Sequence, residues 1–469
     1  MKKKSIILAA AAVVLAAGYA ASSWYLGKRI ETALAEIDAR IIAQPWLSLV
    51  RHDYERGLLS ARDTIVVDIP AAAFRPAPPA GKESEQAVPA SGQPLRVTLR
   101  TSVRHGPLPG FGAPAVATAS TVVEFDEAVA EKVKEAFGGK PAVEIRSSYD
   151  FDGGGRSAIT SPPFTIAVPG RVEGSRINLS GDGLDFAIEF SRGLAQYSLR
   201  GGAPRLEGVG ADGARFTLSG LSVDGAQQRL FPDEPLLHTG VQKLSIVGLE
   251  IDPGPGRERP KLALKDFTYD AEVSASGEHI DVIARFGAAG LVIDEQDYGP
   301  AAYDFSMKHL HARKFAVICR DLMDLHAKAG MLRDRERTLR ALVPLLSNLG
   351  ALLLENPVLS IDRIAFRTPE GEAAASASVR LPDVGAEDLM RPWLLIGKID
   401  AEADLALPVT LVKTLALAGD ERRKRAETVD GAIADFVGKG YVAIDGGLLR
   451  SRLAFRDGSL TANDRQVWP

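Results

Sequence analysis

The residues best suited to chemistry in this 469-residue chain are a few histidines and acids. The tripeptide His309-Leu310-His311 would place two imidazoles on one face of a strand, a spacing that a metal site could use. No cluster of cysteines or carboxylates lies beside this pair in the sequence. We therefore expect histidines on a polar face rather than a metal centre, and no cofactor is expected.

Motifs of the common enzyme classes are missing from the sequence. It contains no G-x-S-x-G, H-E-x-x-H, C-x-x-C or phosphate-binding G-x-x-x-x-G-K-[ST]. Residues 110–112, Gly-Phe-Gly, lack the third glycine and the following helix of a dinucleotide site. The single cysteine, Cys319, excludes an intrachain disulfide and is expected to be a small buried hydrophobic residue. The sequence thus favours a protein without catalytic activity.

The amino-terminal segment predicts a membrane anchor. An apolar run from Ser5 to about Leu26 follows three lysines. Roughly 22 residues at about 1.5 Å each form a helix of roughly 30 Å, the thickness of the hydrocarbon core of a bilayer. Aromatic and basic residues are typical of the two membrane interfaces. Those expected at the interfaces of this anchor are Lys2, Lys3, Lys4, Trp24, Tyr25, Lys28 and Arg29.

A cleaved secretory signal peptide is the alternative for this segment. Residues 17–21 offer small side chains for cleavage, but the apolar run continues past them to Trp24 and Tyr25. An uncleaved anchor is therefore favoured. Beyond it the pattern predicts a continuing helix: Ile30, Leu34, Ile37 and Ile41 recur at helical spacing, and Lys28, Arg29, Glu31 and Asp38 lie between them.

Composition excludes one class of partner. The net charge is −4 and no domain-wide basic patch is visible, so nucleic-acid binding is not expected. With 46% hydrophobic and 25% charged residues, the chain has the composition of a globular protein. The stretch 70–94, rich in proline and alanine, predicts a flexible loop.

Period-two alternation dominates the rest of the chain and predicts strands with one apolar face. Clear examples are 95–103 and 184–190, and the same period returns in the ranges 143–151, 216–223, 244–251, 267–273, 280–286, 303–307, 361–366, 399–407 and 449–455. Turns that favour consecutive hairpins are expected at Asp182-Gly183, Asp212-Gly213, Asp224-Gly225 and Asp457-Gly458.

Three helical insertions interrupt this pattern, at 126–137, 321–354 and 409–437, with a break or kink expected at Pro344. The predicted fold class is mainly β with helical insertions (α+β): an N-terminal transmembrane helix followed by an elongated, curved antiparallel sheet. Residues 1–27 form the cytoplasmic tip and anchor, 28–69 a juxtamembrane helix and first strand, 70–94 the loop and 95–469 the β-rich body.

Several short segments, in this order along nearly the whole chain, resemble the YdgA-like family of bacterial envelope proteins, whose activity is not established. The segments are 24–31, 54–60, 105–109, 356–371, 440–442 and 457–463. The loop 70–94 is longer than the family pattern, and Asn463-Asp464 replaces its Asn-Gly. The positions at which the resemblance implies a structural role are Gly27, Glu31, Tyr54, Gly57, His105, Gly106, Pro107, Gly371, Gly440 and Gly458.

The resemblance implies a single-pass protein of the bacterial inner membrane, with a cytoplasmic amino terminus and a periplasmic body. It transfers no catalytic residue.

An apolar sheet face with few helices to cover it favours a protein that binds a lipid-like ligand or scaffolds envelope partners. Two alternatives remain. One is a hydrolase of envelope material that uses His105, Asp150, Asp152 and the pair His309 and His311. The other is a homodimeric scaffold built on the anchor and the leucine-rich segment 342–354.

Overall fold

The structure is a computed structural model that describes residues 17–35, 38, 47–70, 94–169, 176–256, 260–328, 335–416 and 422–468. Contacts divide the chain into two units, Met1–Gly210 (unit 1) and Ala211–Pro469 (unit 2). Each is mainly an open antiparallel sheet with a few helices, as the alternation predicts. The predicted loop falls almost wholly on residues 71–93, outside the described residues.

Unit 1 is an antiparallel sheet in which β1 to β6 each pair with the next strand in sequence. Beyond β6 the order changes: β6 pairs with β9 and β7 with β8, and both β8 and β9 pair with the long strand β10. The strands are β1 Ser48–Arg56, β2 Ser60–Ile69, β3 Leu95–His105, β4 Ala117–Phe125, β5 Glu144–Tyr149, β6 Gly155–Ser161, β7 Phe164–Pro169, β8 Arg176–Gly181, β9 Leu184–Phe190 and β10 Gln196–Gly210.

Unit 2 repeats the antiparallel pairing with longer strands. Strands β11, β12 and β13 pair in sequence order, and β13 then pairs with both β14 and β15. Strand β15 pairs with β16, and β14 pairs with β17, from which the sheet continues as β17–β18–β19–β20–β22. Strand β22 pairs with both β21 and β23, and β23 pairs with β24. The strands are β11 Arg215–Phe231, β12 Glu234–Asp252, β13 Leu262–Ser276, β14 His279–Ala288, β15 Gly290–Ile293, β16 Gln296–Asp297, β17 Ala301–His311, β18 Val358–Thr368, β19 Gly371–Arg380, β20 Asp400–Pro408, β21 Ala443–Asp445, β22 Leu448–Arg456, β23 Ser459–Ala462 and β24 Arg465–Trp468.

The predicted helices are present, with altered bounds. The helices are α1 (residues 17–35), α2 Glu127–Ala136, α3 Ala312–Lys328, α4 Arg335–Leu353, α5 Ala386–Met390, α6 Val409–Ala416 and α7 Arg422–Gly438. The expected break at Pro344 is not found, because α4 continues through it. Helix α3 begins nine residues before the predicted 321, directly after β17.

Two of the four predicted Asp-Gly turns are not hairpins. Asp457-Gly458 joins β22 to β23 as predicted. Asp224-Gly225 instead lies inside β11, where Gly225 pairs with Gln242. Asp182-Gly183 separates β8 from β9, and both strands pair with β10. Pairing along a long neighbouring strand therefore overrides a local turn signal.

None of the described helices has the length and apolar character needed to cross a bilayer. Residues 1–16, which include Lys2, Lys3 and Lys4 and most of the predicted anchor, lie outside the described residues.

Candidate functional site

Helix α1 packs on the sheet of unit 1 through residues that the resemblance singled out. Leu26, Ile30 and Leu34 are buried in one cluster with Val103 of β3. Gly27 faces the imidazole of His105, and a Cβ atom built on Gly27 would lie 2.5 Å from Cε1 of that ring. Only glycine allows the helix to approach the histidine this closely.

His105 joins β3 to the backbone of α1. Its Nδ1–H donates to the carbonyl oxygen of Ser23 at 2.9 Å, and the side chain is 1% exposed. Because the acceptor is a carbonyl, the proton must lie on Nδ1. The next residue, Gly106, has a φ of +130°, and a Cβ there would lie 2.4 Å from Ser23 Oγ. Both glycines are therefore needed for this contact, and His105 is a structural residue.

The same junction includes the turn after β3. Pro107 is partly buried in this turn, and Tyr19 Oη donates to the carbonyl oxygen of Leu108 at 2.8 Å. The ring of Tyr19 stacks on Phe111, with centroids 6.1 Å apart. Contacts between α1 and the rest of unit 1 thus include Tyr19, inside the segment predicted to end the membrane span.

The β1–β2 hairpin makes the third part of the junction. Arg56 donates to Glu31 of α1 at 2.8 Å and lies 5.6 Å from the ring centroid of Trp24. Tyr54 packs against the cluster around Leu26. Gly57 closes the hairpin by donating to the carbonyl of Ser60 at 2.8 Å. The three amino-terminal segments of the resemblance thus meet in one place.

The remaining positions predicted at the anchor interface lie on the outer side of α1. Trp24 is 50% and Tyr25 59% exposed, and Lys28 and Arg29 are exposed too. The later glycines lie in turns. Gly371 closes the β18–β19 hairpin, Gly458 closes β22–β23, and Gly440 follows α7; all three have positive φ.

A buried polar cluster joins the end of α1 to the β1–β2 hairpin. We call Asp38, His52 and Asp63 the Asp38 cluster. His52 Nε2 lies 3.0 Å from Asp63 Oδ1 and 3.5 Å from Asp38 Oδ2. The two aspartates are only 2% and 6% exposed. Burial, together with the charge of Asp63, raises the pKa of Asp38 to about 7, and His52 opposes this rise.

Tyr54 adds a phenol beside this cluster. In the β1–β2 ladder Tyr54 pairs with Asp63. Its Oη is buried and has no hydrogen-bond partner among the described residues. Burial and the nearby charges of Glu31 and Asp63 raise the pKa of Tyr54 to about 12, so the phenol stays neutral.

The sequence carried a signal for this cluster that the pattern analysis missed. Asp38 was noted only as a charged residue between the apolar positions of the helix, yet its side chain is buried. It lies four residues after Leu34 and eight after Ile30, on the buried stripe. Asp63 likewise occupies a buried position of β2 between Ala61 and Ile65. Carboxylates at apolar positions of two elements are the signal.

The histidines predicted as a pair form a group of three. On β17, the ring of His309 stacks on His279 with centroids 4.0 Å apart, and His311 meets the same ring edge-on at 5.7 Å. His309 Nδ1–H donates to the carbonyl of Glu355 at 2.7 Å. Within the part of the chain that the structure describes, only the Asp38 cluster brings three ligand atoms within 4.8 Å of one another.

The other residues of the hydrolase alternative hold a turn. Asp152 Oδ1 accepts from the backbone N–H of Gly154 at 2.8 Å, and Asp150 N–H donates to the carbonyl of Gly154 at 2.9 Å. Both lie between β5 and β6 in unit 1, whereas His309 and His311 belong to unit 2. Cys319 is half-buried, and burial raises its thiol pKa, which lowers its reactivity.

Unit 2 leaves a broad apolar surface on one face of its sheet. We call it the open groove, with a volume of about 540 Å³. Its apolar lining comes from six strands and includes Tyr303, Phe305, Met307, Leu359, Ile361, Val379, Leu453, Phe455 and Leu460. Tyr303 is 40% and Leu359 44% exposed. The strands thus present apolar side chains that no described element covers.

Helices flank the open groove on the same face. At one end α3 and α4 pack on the sheet through Leu310, Ala316 and Leu352. At the other, α6 and α7 cover a second apolar cavity of about 320 Å³, lined by residues such as Leu407 and Phe436. The groove therefore lies between these helix pairs, on a part of the sheet face that the described helices leave uncovered.

The opposite face of the sheet is polar and paired. Asp400 accepts from Arg380 at 2.6 Å and from Arg456 at 3.1 Å, and the bond from Arg380 holds its pKa below the usual value. Arg452 donates to Glu402 at 3.4 Å. Since these charges alternate with groove residues along β20 and β22, each strand separates an ionic from an apolar face.

Comparisons with known proteins identify the family of this chain. A family model described as "Bacterial protein of unknown function (DUF945)" matches residues 1–469. The chain is similar to Protein YdgA of Escherichia coli (strain K12), with 24% identity over 96% of this chain and 92% of that protein. No solved structure matches. The resemblance seen in the sequence is thereby confirmed.

Proposed function

This chain belongs to the DUF945 family of bacterial proteins of unknown function, and from that premise we propose that it is a membrane-anchored envelope protein that holds a lipid-like ligand in the open groove, without catalysis. The open groove is the observation that carries this proposal. A groove of about 540 Å³ falls in the size range of small-molecule sites, about 300–1,000 Å³. Its lining is mainly apolar and aromatic, and Glu402 is a charged residue within it.

Aromatic packing supports a pre-formed groove. The ring of Phe286 on β14 has three aromatic neighbours on the two strands beside it: Tyr269 of β13 at 4.9 Å, and Tyr303 and Phe305 of β17 at 6.0 Å and 6.4 Å between centroids. Contacts of this kind hold side chains in fixed positions before a ligand arrives. A ligand that lies across the strands would bury surface that is otherwise exposed to water, which stabilises the complex by about 25 cal/mol per Å².

The ligand test compares two leucines of equal exposure. Leu359 lies in the groove at 44% exposed, and Leu394 lies outside its lining at 42% exposed. We expect Leu359→Gln to weaken the uptake of a fluorescent acyl chain by the full-length protein several-fold, and Leu394→Gln to leave it unchanged. Native mass spectrometry of the detergent-extracted protein should detect a bound lipid. Absence of both lipid and uptake in the wild type would contradict the proposal.

Anchoring is proposed from the sequence of residues 2–26 and the placement of α1. Trp24 and Tyr25 point outward from the junction, as interfacial aromatics would. Tyr19 contacts the turn after β3, so cleavage within residues 17–21 would remove part of a packed helix. We expect the protein to stay in the membrane fraction after alkaline extraction and to keep its amino terminus. A mature protein that begins after residue 21 would contradict this.

A homodimeric scaffold is the second candidate, and α4 provides the observation that favours it. Leu345 and Leu352 pack inward, but Val343, Leu346 and Leu349 are 62%, 63% and 44% exposed. A partner helix could cover this outer stripe. If it does, Leu346→Glu should convert a dimer to a monomer in light scattering of the detergent-extracted protein. A wild-type protein that is already monomeric would exclude the scaffold.

A further inference from the structure

We propose that the Asp38 cluster binds a divalent transition-metal cation of the Zn²⁺ class and thereby fastens α1 to the β1–β2 hairpin. The three ligands come from three elements. Asp38 is a helical residue three positions after the end of α1, His52 lies on β1 and Asp63 on β2. A cation held by all three would connect the helix to the sheet at a point far in sequence from the Gly27–His105 contact.

The distances suit coordination. Ligand atoms bound at about 2.0–2.2 Å to a tetrahedral Zn²⁺ lie about 3.3–3.6 Å from one another. His52 Nε2 lies 3.0 Å from Asp63 and 3.5 Å from Asp38, and all three ligand atoms lie within 4.8 Å. Shifts of a few tenths of an ångström therefore bring one nitrogen and two oxygens around a common centre.

The charge arrangement also favours a positive partner. Two carboxylates, 2% and 6% exposed, share a space with one imidazole that is itself only part-buried. Buried ionised carboxylates are costly unless they are paired or coordinate a metal. The nearest arginine on the same face of β1, Arg56, is already bound to Glu31 and to the ring of Trp24. A divalent cation would neutralise both aspartates at once.

Tyr54 is an independent observation that points to the same place. Its Oη is buried without a partner among the described residues, beside the strand position of Asp63. A water molecule on the fourth position of a three-ligand metal site needs a hydrogen-bond partner, and a neutral phenol can supply one. The cluster thus provides three ligands and one outer group.

The donor set selects the class of metal. Imidazole with carboxylates suits Zn²⁺ and its transition-metal neighbours. Ca²⁺ requires about 6–8 oxygen ligands and Mg²⁺ usually keeps several waters, whereas this cluster offers one nitrogen and two largely buried carboxylates. We therefore expect Zn²⁺ to bind and Ca²⁺ and Mg²⁺ not to compete at equal concentration.

The test uses tag-free, full-length protein in detergent, treated with chelator and dialysed. Calorimetric titration with Zn²⁺ should give one site per chain, and the melting temperature should rise with Zn²⁺ concentration. Asp38→Asn and Asp63→Asn keep the shape of the side chain but remove its charge, and should weaken Zn²⁺ binding by more than about 100-fold. Asp53→Asn is the matched control, because Asp53 lies on β1 and bonds Arg51 instead.

A second measurement uses the wild-type protein, so that the test does not depend on whether the variants fold. Co²⁺ in place of Zn²⁺ should give the visible absorption bands of a four-coordinate site, which Zn²⁺ then displaces. Wild-type protein that binds no Zn²⁺, or binds it equally well in Asp63→Asn and Asp53→Asn, overturns the proposal. A purely octahedral Co²⁺ spectrum also overturns it, because the metal is then held at the surface.

Discussion

The two units both build an antiparallel sheet but treat its apolar face in opposite ways. In unit 1, α1 covers the face with Leu26, Ile30 and Leu34 and encloses two carboxylates and a histidine. In unit 2, two helix pairs cover the ends of the face and leave a row of aromatic and aliphatic side chains half exposed. Packing of a helix on the sheet buries two carboxylates in unit 1, whereas partial cover leaves apolar side chains exposed in unit 2.

The largest expected effect is a loss of stability, and it compares a leucine beneath the helices of unit 2 with a leucine in the open groove. Leu310 is 1% exposed beneath α3, so Leu310→Ala should lower the free energy of unfolding by about 3 kcal/mol. Leu359 is 44% exposed, and Leu359→Ala should cost less than about 1 kcal/mol. Urea unfolding of both variants measures the difference. Equal costs would mean that the groove is covered in solution.

The next effect tests the close contact in unit 1. Gly27→Ala places a Cβ against the ring of His105 and should cost about 2 kcal/mol through overpacking. Gly18→Ala, in the same helix with open space around it, should cost nothing and should even stabilise the helix by up to about 1 kcal/mol. Thermal unfolding compares the two. If Gly27→Ala is also neutral, α1 does not pack on His105.

A pH effect is expected at the Asp38 cluster of metal-free protein. Asp38 has a pKa of about 7 in the folded state against 3.8 in the unfolded chain. Its protonated form therefore stabilises the fold fully below pH 3.8, and this contribution is lost as the pH rises through about 7. The unfolding temperature should therefore fall as the pH rises from 3.8 to about 7, and Asp38→Asn should remove that part of the dependence. An unchanged pH profile in Asp38→Asn would place the effect elsewhere.

The smallest effect concerns the outer side of α1. Trp24→Leu keeps an apolar side chain but removes the ring that faces Arg56, and should cost about 0.5 kcal/mol. Denaturant unfolding of the detergent-extracted protein can measure it. A loss of several kcal/mol would show that Trp24 has a larger role in packing α1 than its 50% exposure indicates.

Elements with a strong local period were predictable. The alternation of 95–103 and 184–190 corresponds to β3 and β9, and 126–137 corresponds to α2, because the period of side chains along a strand or helix is a property of the local backbone. Local structure was not predictable where pairing with a neighbouring strand competes with a turn signal. Asp224-Gly225 has the composition of a turn, yet both residues pair with β12 over a long ladder.

The candidate sites show the same limit. Gly27, His105 and Gly106 were identified by resemblance. Their mutual contact depends on how α1 lies on β3, which the spacing of apolar residues along the sequence does not predict. The burial of Asp38 was not predicted, although its spacing from Ile30 and Leu34 places it on the same stripe.

By itself, the sequence determined the strand-rich class, the positions of most strands and the family, because these depend on local periodicity and on the order of short motifs. Only the tertiary structure decided that the apolar face is covered in unit 1 and left open in unit 2, and that Asp38, His52 and Asp63 come together. The physical reason is that a side chain's environment is set by elements distant in sequence, which pack according to shape and burial rather than period.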